Sequence, residues 1–381
     1  MLISLIGTWI QSVAQSWLIF ELTRSAFLLG FVGFLNSIPL FLFSLFGGVL
    51  ADRLNKRNIL IVTQISFMAL AFALALLTQF KLITPAQIMG LAVLNGIVMA
   101  FDAPSRQSMV VELVGKAHLP NAIALNSVAF NSSRLIGPAL AGVLIAAIGM
   151  SGCFYINGLS FLAVIIALSY IKIDSQENQS KNTALKDLKD GLVFVKNHEL
   201  VMSLITIVSV VSLFGVSYVI LMPVFANEIL KVGVKGLAVL MSSSGFGALC
   251  GALLLARLGD FKGKGTFLLV SAFIYSISLI LFSLSRIYFL SVLILAVTGA
   301  TSVASLALIN TLLQTKVPDE YRGRVMSVFM LTFAGIMPFG NLLAGSLAQA
   351  FGPAITVLSR GVICAIFFIF VNARFPKIRS I

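Results

Sequence analysis

Arg134 lies about thirteen residues into a long apolar stretch, which puts its guanidinium near the middle of a bilayer if that stretch crosses one. A charge at that depth costs at least ~2.5 to 3.5 kcal/mol on insertion scales, so a cation kept there is a candidate for function. Two kinds of chemistry fit it: attraction of an anionic or catechol-type compound, or neutralisation during a coupling cycle. The alternative is an arginine held by neighbouring carbonyls and Asn or Gln side chains. Arg360 begins closer to the end of its stretch and is expected nearer the outer surface. The thirteen acids all fall toward the ends of apolar stretches or between them. Of these, Asp102 and Glu21 come nearest to a position where burial raises a carboxylate toward neutrality, as a proton-coupled carrier requires. Asp102 is expected to pair with Arg53 or Arg57, and Glu21 to be a solvated loop acid.

Uncharged polar side chains inside apolar stretches cannot all face lipid cheaply, so they line a cavity or bond between helices. Gln11, Gln15, Asn36, Gln64, Asn95, Asn126, Asn131, Asn157 and Asn310 are of this kind. Gln11, Gln15, Asn36, Asn126 and Asn131, with Trp9, Trp17 and Arg134, are the candidate substrate contacts. No nucleophile elbow, paired metal-binding histidines or phosphate-cradling glycine loop occurs, and Gly263-Lys264-Gly265 lacks the upstream spacing of such a loop. Cys153, Cys250 and Cys364 lie in apolar stretches at unrelated spacings and read as packing residues, neither disulfides nor a metal site. The chain is therefore not read as an enzyme, and no cofactor is implied.

The elements that must position these residues are set by composition. Hydrophobic residues make up 59% of the 381 and charged residues 10%, with a mean hydropathy of +1.06, far from the roughly 25% charged content of soluble domains. Apolar blocks of about 20 residues match the ~30 Å hydrocarbon core at 1.5 Å per helical residue, and lipid obliges each to satisfy its own backbone. The pattern predicts helices at 2 to 21, 27 to 50, 58 to 79, 86 to 103, 121 to 148, 151 to 171, 199 to 225, 234 to 256, 266 to 285, 287 to 313, 325 to 350 and 354 to 373. The polar stretch 172 to 198 divides them into a first half, 1 to 171, and a second, 199 to 381, and its later part carries an amphipathic surface segment.

Nineteen Lys and Arg fall in one set of alternate loops and five in the other, with the remaining two inside helices. That asymmetry places both termini and the central loop in the cytoplasm and turns the net charge of +13 toward anionic lipid, not nucleic acid. A shift of 203 residues places Gly137-Pro-Ala-Leu-Ala-Gly142 on Gly340-Asn-Leu-Leu-Ala-Gly345, and Gly48 on Gly251. The chain opens on a helix at Met1 with neither a basic leader nor a cleavable signal, which suggests a shortened start.

Gly48-Val-Leu-Ala-Asp52-Arg53-Leu-Asn55-Lys56-Arg57 resembles the G-x-L-x-D-R-x-G-R-R signature of the major facilitator superfamily, with Asn55 in place of its glycine as the next best residue at positive φ. Arg134-Leu-Ile-Gly137-Pro138-Ala-Leu-Ala-Gly142 is similar to the G-P-x-x-x-G element of that superfamily's exporters, and Pro104-Ser-Arg106-Gln107 and Pro318-Asp-Glu-Tyr-Arg322-Gly-Arg324 add to the likeness. Together they resemble the branch of enterobactin exporters and macrolide efflux proteins.

The resemblance implies an all-α polytopic membrane protein of twelve transmembrane helices in two pseudo-symmetric six-helix bundles. It implies a proton-coupled exporter of a small amphipathic or anionic compound, monomeric, in the inner membrane, working by alternating access. The alternatives are an importer or uniporter without protons, and a scaffold that transports nothing. Gly48, Asp52, Arg53, Arg57, Asp102, Gly137, Pro138 and Gly142 are then the gating residues, Gly48 letting helix two approach the other half and Asp52 sitting against that helix's N-terminal dipole.

Overall fold

The computed structural model describes residues 2–171, 184–375 and 378–379, so the first part of the expected central loop, 172–183, lies outside the described residues. Twelve long helices and one short amphipathic helix follow in order: α1 (Leu2–Thr23), α2 (Ala26–Arg53), α3 (Lys56–Gln79), α4 (85–114), α5 (116–148), α6 (150–170), α7 (Ala184–Asn197), α8 (Glu199–Ile229), α9 (Gly233–Leu258), α10 (Lys264–Leu284), α11 (Tyr288–Lys316), α12 (Asp319–Phe351) and α13 (Pro353–Arg374). The stretch from Asn121 to Tyr170 has 50 residues, or roughly 75 Å of helix, far too long for one ~30 Å crossing. Gly149, at φ 73° and ψ 179°, reverses the chain there as only glycine does readily, and Gly115, at φ 68°, makes the break before α5.

α1 to α6 pack as one bundle and α8 to α13 as another. The internal repeat is visible atom by atom. Gly137 of α5 lies against Trp9 and Ile6 of α1, and its counterpart Gly340 of α12 lies against the Leu213 and Ser212 carbonyls of α8. Gly142 meets Ala238 of α9, and its counterpart Gly345 meets Gly30 and Ala26 of α2. In α2 and α9 the register slips by one residue. Gly47, not Gly48, faces the Ala100 carbonyl of α4, as Gly251 faces Ala300 of α11.

Prolines explain several crossings. The sequence ends the fourth helix at 103, yet α4 continues through Pro104 to 114. Pro104 has no N–H to give its i−4 carbonyl, Ala100, and that carbonyl is the one on which Gly47 rests. Crossings of this kind, backbone against carbonyl with no side chain between, supply packing where lipid gives no hydrophobic drive.

α8 departs from ideal helix in its second half, with a π segment at Val211–Gly215, a 3-10 segment at Val216–Leu221 and a second π segment at Phe225–Ile229. The first π segment turns carbonyls toward Arg360, which donates to Phe214 O at 2.9 Å, to Gly340 O at 3.1 Å and to Leu213 O, and lies over the Phe214 ring. Arg360 is thus buried at 2% exposure in the core of the second bundle. The carbonyls loosened from α8 are what hold the guanidinium inside the bundle. α7 is amphipathic as expected and docks at the start of α12, where Gly191 touches the Arg324 carbonyl.

A Cβ at Gly299 of α11 would stand 1.9 Å from the Ser244 carbonyl, whereas one at Gly90 of α4 meets nothing. Gly299→Val is therefore expected to destabilise the purified protein by about 1 to 3 kcal/mol or more, read as a lower Tm, while Gly90→Val leaves the Tm unchanged.

Candidate functional site at the bundle interface

The bundles meet along two crossings, α2 with α12 and α5 with α9. Following each from one end gives a consistent picture. At the end away from the basic loops, Gln349 accepts hydrogen bonds from Ser25 Oγ at 3.0 Å and from Phe27 N at 3.3 Å, Gly30 lies on Gly345, and Gly142 lies on Ala238. Deeper in, Gly335 meets the Phe41 ring, and Gly245 of α9 rests on the Arg134 carbonyl. Pro138 strips that carbonyl of its i−4 donor, so the Gly-Pro element of α5 builds the crossing directly. Beyond it the contact ends: residues 123–128 of α5 are exposed on every side, as are 256–258 of α9. Beside the outer crossing an apolar crevice of about 480 Å³ opens between Ala139, Val143, Ala238 and Lys235.

At the point where the bundles part sits Arg134. It is half-buried, and its Nη2 reaches across to Ser244 Oγ at 3.2 Å. Ser244 in turn contacts Tyr218 OH at 3.1 Å. Tyr275 is nearby, fully buried, with its hydroxyl packed against Gly215 and unpartnered. None of Tyr218, Ser244, Tyr275 and Gly245 was selected from the sequence. For Gly245 the only hint lay in Pro138, four residues after Arg134; for the hydroxyls there was none.

The basic-end motif differs from its expected arrangement. Gly48 has no neighbour within 4 Å on the side where a Cβ would lie, so that side makes no close approach to the other half. Asn55 is at φ −63°, not positive φ, and caps α3 by accepting from Asn58 N at 3.3 Å. The Asp52 side chain lies outside the described residues. Arg53 is exposed, and Arg57 donates to the Leu168 and Ser169 carbonyls at 2.7 and 2.8 Å, closing the end of α6. Asp102 therefore pairs with neither arginine. It is buried at 3% and takes Thr63 Oγ1 and Gln64 Nε2 at 2.8 Å each, with Arg106 of its own helix bidentate at 2.8 to 3.1 Å. Arg106 wins because i,i+4 spacing places it over Asp102. Lys56, buried, pairs with Glu112.

The remaining candidates scatter. Gln11 accepts from Asn157 Nδ2 at 2.7 Å, tying α1 to α6, and Asn131 bonds back to the Ser127 carbonyl at 2.8 Å. Asn36 accepts from Asn95 at 2.8 Å. Trp9 stands edge-on to Phe130 and Trp17 edge-on to Phe20. Asn126 is exposed on the free part of α5, and Gln15 is half-buried in α1. Glu21 is exposed.

Removing one partner of a buried, hydrogen-bonded ion pair costs ~3 to 5 kcal/mol. Asp102→Ala should lower the Tm accordingly, and the double variant with Arg106→Leu should recover much of the loss; additive losses would show that the pair is not coupled.

The chain matches, over residues 1–381, the family described as "Transmembrane secretion effector". It is 27% identical to the staphyloferrin A transporter of Staphylococcus aureus, over 97% of this chain and 94% of that one. It is 24% identical to the enterobactin exporter of Shigella flexneri, over 94% and 86%, and 21% identical to macrolide efflux protein A of Streptococcus pyogenes, over 92% and 88%. Among solved structures, a D-xylose–proton symporter superposes with a TM-score of 0.80 at 13% identity, over 100% of this chain and 98% of that one. An inward-facing bacterial homologue of the lysosomal transporter Spinster gives 0.75 at 16% identity, over 99% and 96%. With a two-bundle fold, an interface closed at one end and a family match over its whole length, the chain belongs to the transmembrane secretion effector family of major facilitator superfamily transporters.

Proposed function

We propose that this transporter exports a small amphipathic or anionic organic compound by alternating access, in exchange for protons. The observation that carries the reading is the one-sided closure. Every glycine contact between the bundles lies between the non-basic end and the depth of Arg134 and Gly335, while Gly48 and Gly323, near the basic end, stand clear of neighbours. Packed interfaces are bistable, not continuously deformable, so a second arrangement with the basic end shut is the natural partner of this one. With basic loops in the cytoplasm, the conformation is open inward. Residues 1–171 and 199–381 are the rocking units in this reading, joined by 172–198, in a monomer of the cell's inner membrane.

Relatives that export a siderophore or a macrolide support the outward direction. Among the described residues no hydrogen bond or ion pair joins Arg134 to an acid, which favours an organic anion as the partner of that guanidinium.

Two measurements test the reading. Everted vesicles carrying the protein should accumulate an exported compound only with a pH gradient, and Arg134→Gln should cut that flux at least tenfold at unchanged protein level; gradient-independent flux would leave uncoupled transport instead. Cross-linking Ser25→Cys to Gln349→Cys with a short bifunctional thiol reagent should arrest transport. Full activity in the cross-linked protein would contradict alternating access.

A further inference from the structure

Two guanidiniums lie in the transmembrane interior, and they are satisfied very differently. Arg360 gives its donors to three carbonyls and is sealed in the second bundle. Arg134 has five donors by its chemistry but one hydrogen bond among the described residues, a long one to Ser244. It is only half-buried, and a cation at this depth that is not sealed faces a wet space and not lipid. Around it the second bundle supplies hydroxyls: Ser244, Tyr218 bonded to it, and Tyr275, which is 2% exposed with no partner for its OH. No ion pair among the described residues involves either arginine, so the interior carries positive charge and spare donors without a fixed counter-anion.

We propose that Arg134, Ser244 and Tyr218 form a carboxylate-binding subsite between the bundles, which takes the anionic end of the exported compound. This rests on the export reading and names its substrate class. A guanidinium fork matches a carboxylate in two parallel hydrogen bonds. The Ser244 and Tyr218 hydroxyls, now bonded to each other, turn one donor each toward the same oxygens. Buried Arg360 adds positive potential behind Tyr275 without contacting the ligand. The aromatic body of a ligand would lie toward Trp9, whose Cβ packs on Gly137 one turn along α5 from Arg134. Because Arg134 belongs to the first bundle and its hydroxyl partners to the second, an anion held by all three joins the bundles at the depth where their contact now ends. Binding is thereby linked to closure.

The probe is benzoate, with benzamide as its neutral isostere, titrated against the full-length protein in nanodiscs. Two tryptophans are present, and Trp17→Phe leaves Trp9 as the fluorescent reporter. Benzoate is expected to change Trp9 emission saturably and benzamide not to. Arg134→Gln should weaken benzoate binding at least tenfold, and Ser244→Ala and Tyr218→Phe several-fold each, with thermal unfolding of each variant showing the fold intact. Arg134→Lys should recover part of the affinity, since charge without the fork remains. Equal response to the acid and the amide, no response to either, or undiminished binding in Arg134→Gln would each overturn the subsite. Failure of the export reading looks different: benzoate binding with all these features intact, but no outward flux of any anion from loaded vesicles.

Discussion

The fold depends on helices approaching until backbone touches backbone. In lipid, apolar side chains gain little by burying themselves against one another, so cohesion comes from close packing and polar contact. This chain achieves it by setting glycine against carbonyl: Gly47 on Ala100, Gly251 on Ala300, Gly247 on Ala296, Gly299 on Ser244, and, across the bundles, Gly245 on Arg134. Two of these carbonyls, Ala100 and Arg134, are the ones that Pro104 and Pro138 leave without an intrahelical donor. Proline and glycine act together on opposite helices, one exposing an acceptor and the other removing the side chain that would cover it.

The same device has different consequences within and between bundles. Inside a bundle the glycine crossings are supplemented by buried hydrogen bonds such as Asp102 with Thr63, Gln64 and Arg106, and Asn157 with Gln11, and they bind the six helices into a unit. Between bundles the described polar links are few: Gln349 with Ser25 and Phe27 at one end, and Arg134 with Ser244 at mid-depth. An interface made of small residues and a few exposed hydrogen bonds is cheap to open, whereas each bundle is not. That contrast is what the proposed rocking of rigid units requires.

Much of this was legible in the residues. The helices followed from block length, their number from Gly149 and Gly352 between close-set spans, and the repeat from Gly137 to Gly142 against Gly340 to Gly345, whose contacts in the two bundles match. What sequence could not show were choices among near-equal partners. Asp102 had three arginines within reach along the chain, and helical geometry selected Arg106. Asn55 suited a positive-φ turn but serves as a cap. Gly48 and Gly47 are adjacent, and a rotation of one residue decided which faces α4. The burial of Arg360 was not legible, because nothing in residues 211–215 announces a π segment able to hold it. The hydroxyls around Arg134 come from α8, α9 and α10, which no local pattern joins to α5.

The account stands on the bundles being rigid units that exchange closure at one end for closure at the other. Paired spin labels measure this most directly, after exposed Cys250 is replaced. One pair would sit at Phe46 and Ser327 near the basic end, the other at Leu22 and Phe351 at the opposite end, all exposed. The account predicts that adding an exported compound shortens the first distance while lengthening the second, in the same fraction of molecules. Two distances that stay fixed, or that change in the same direction, would contradict it.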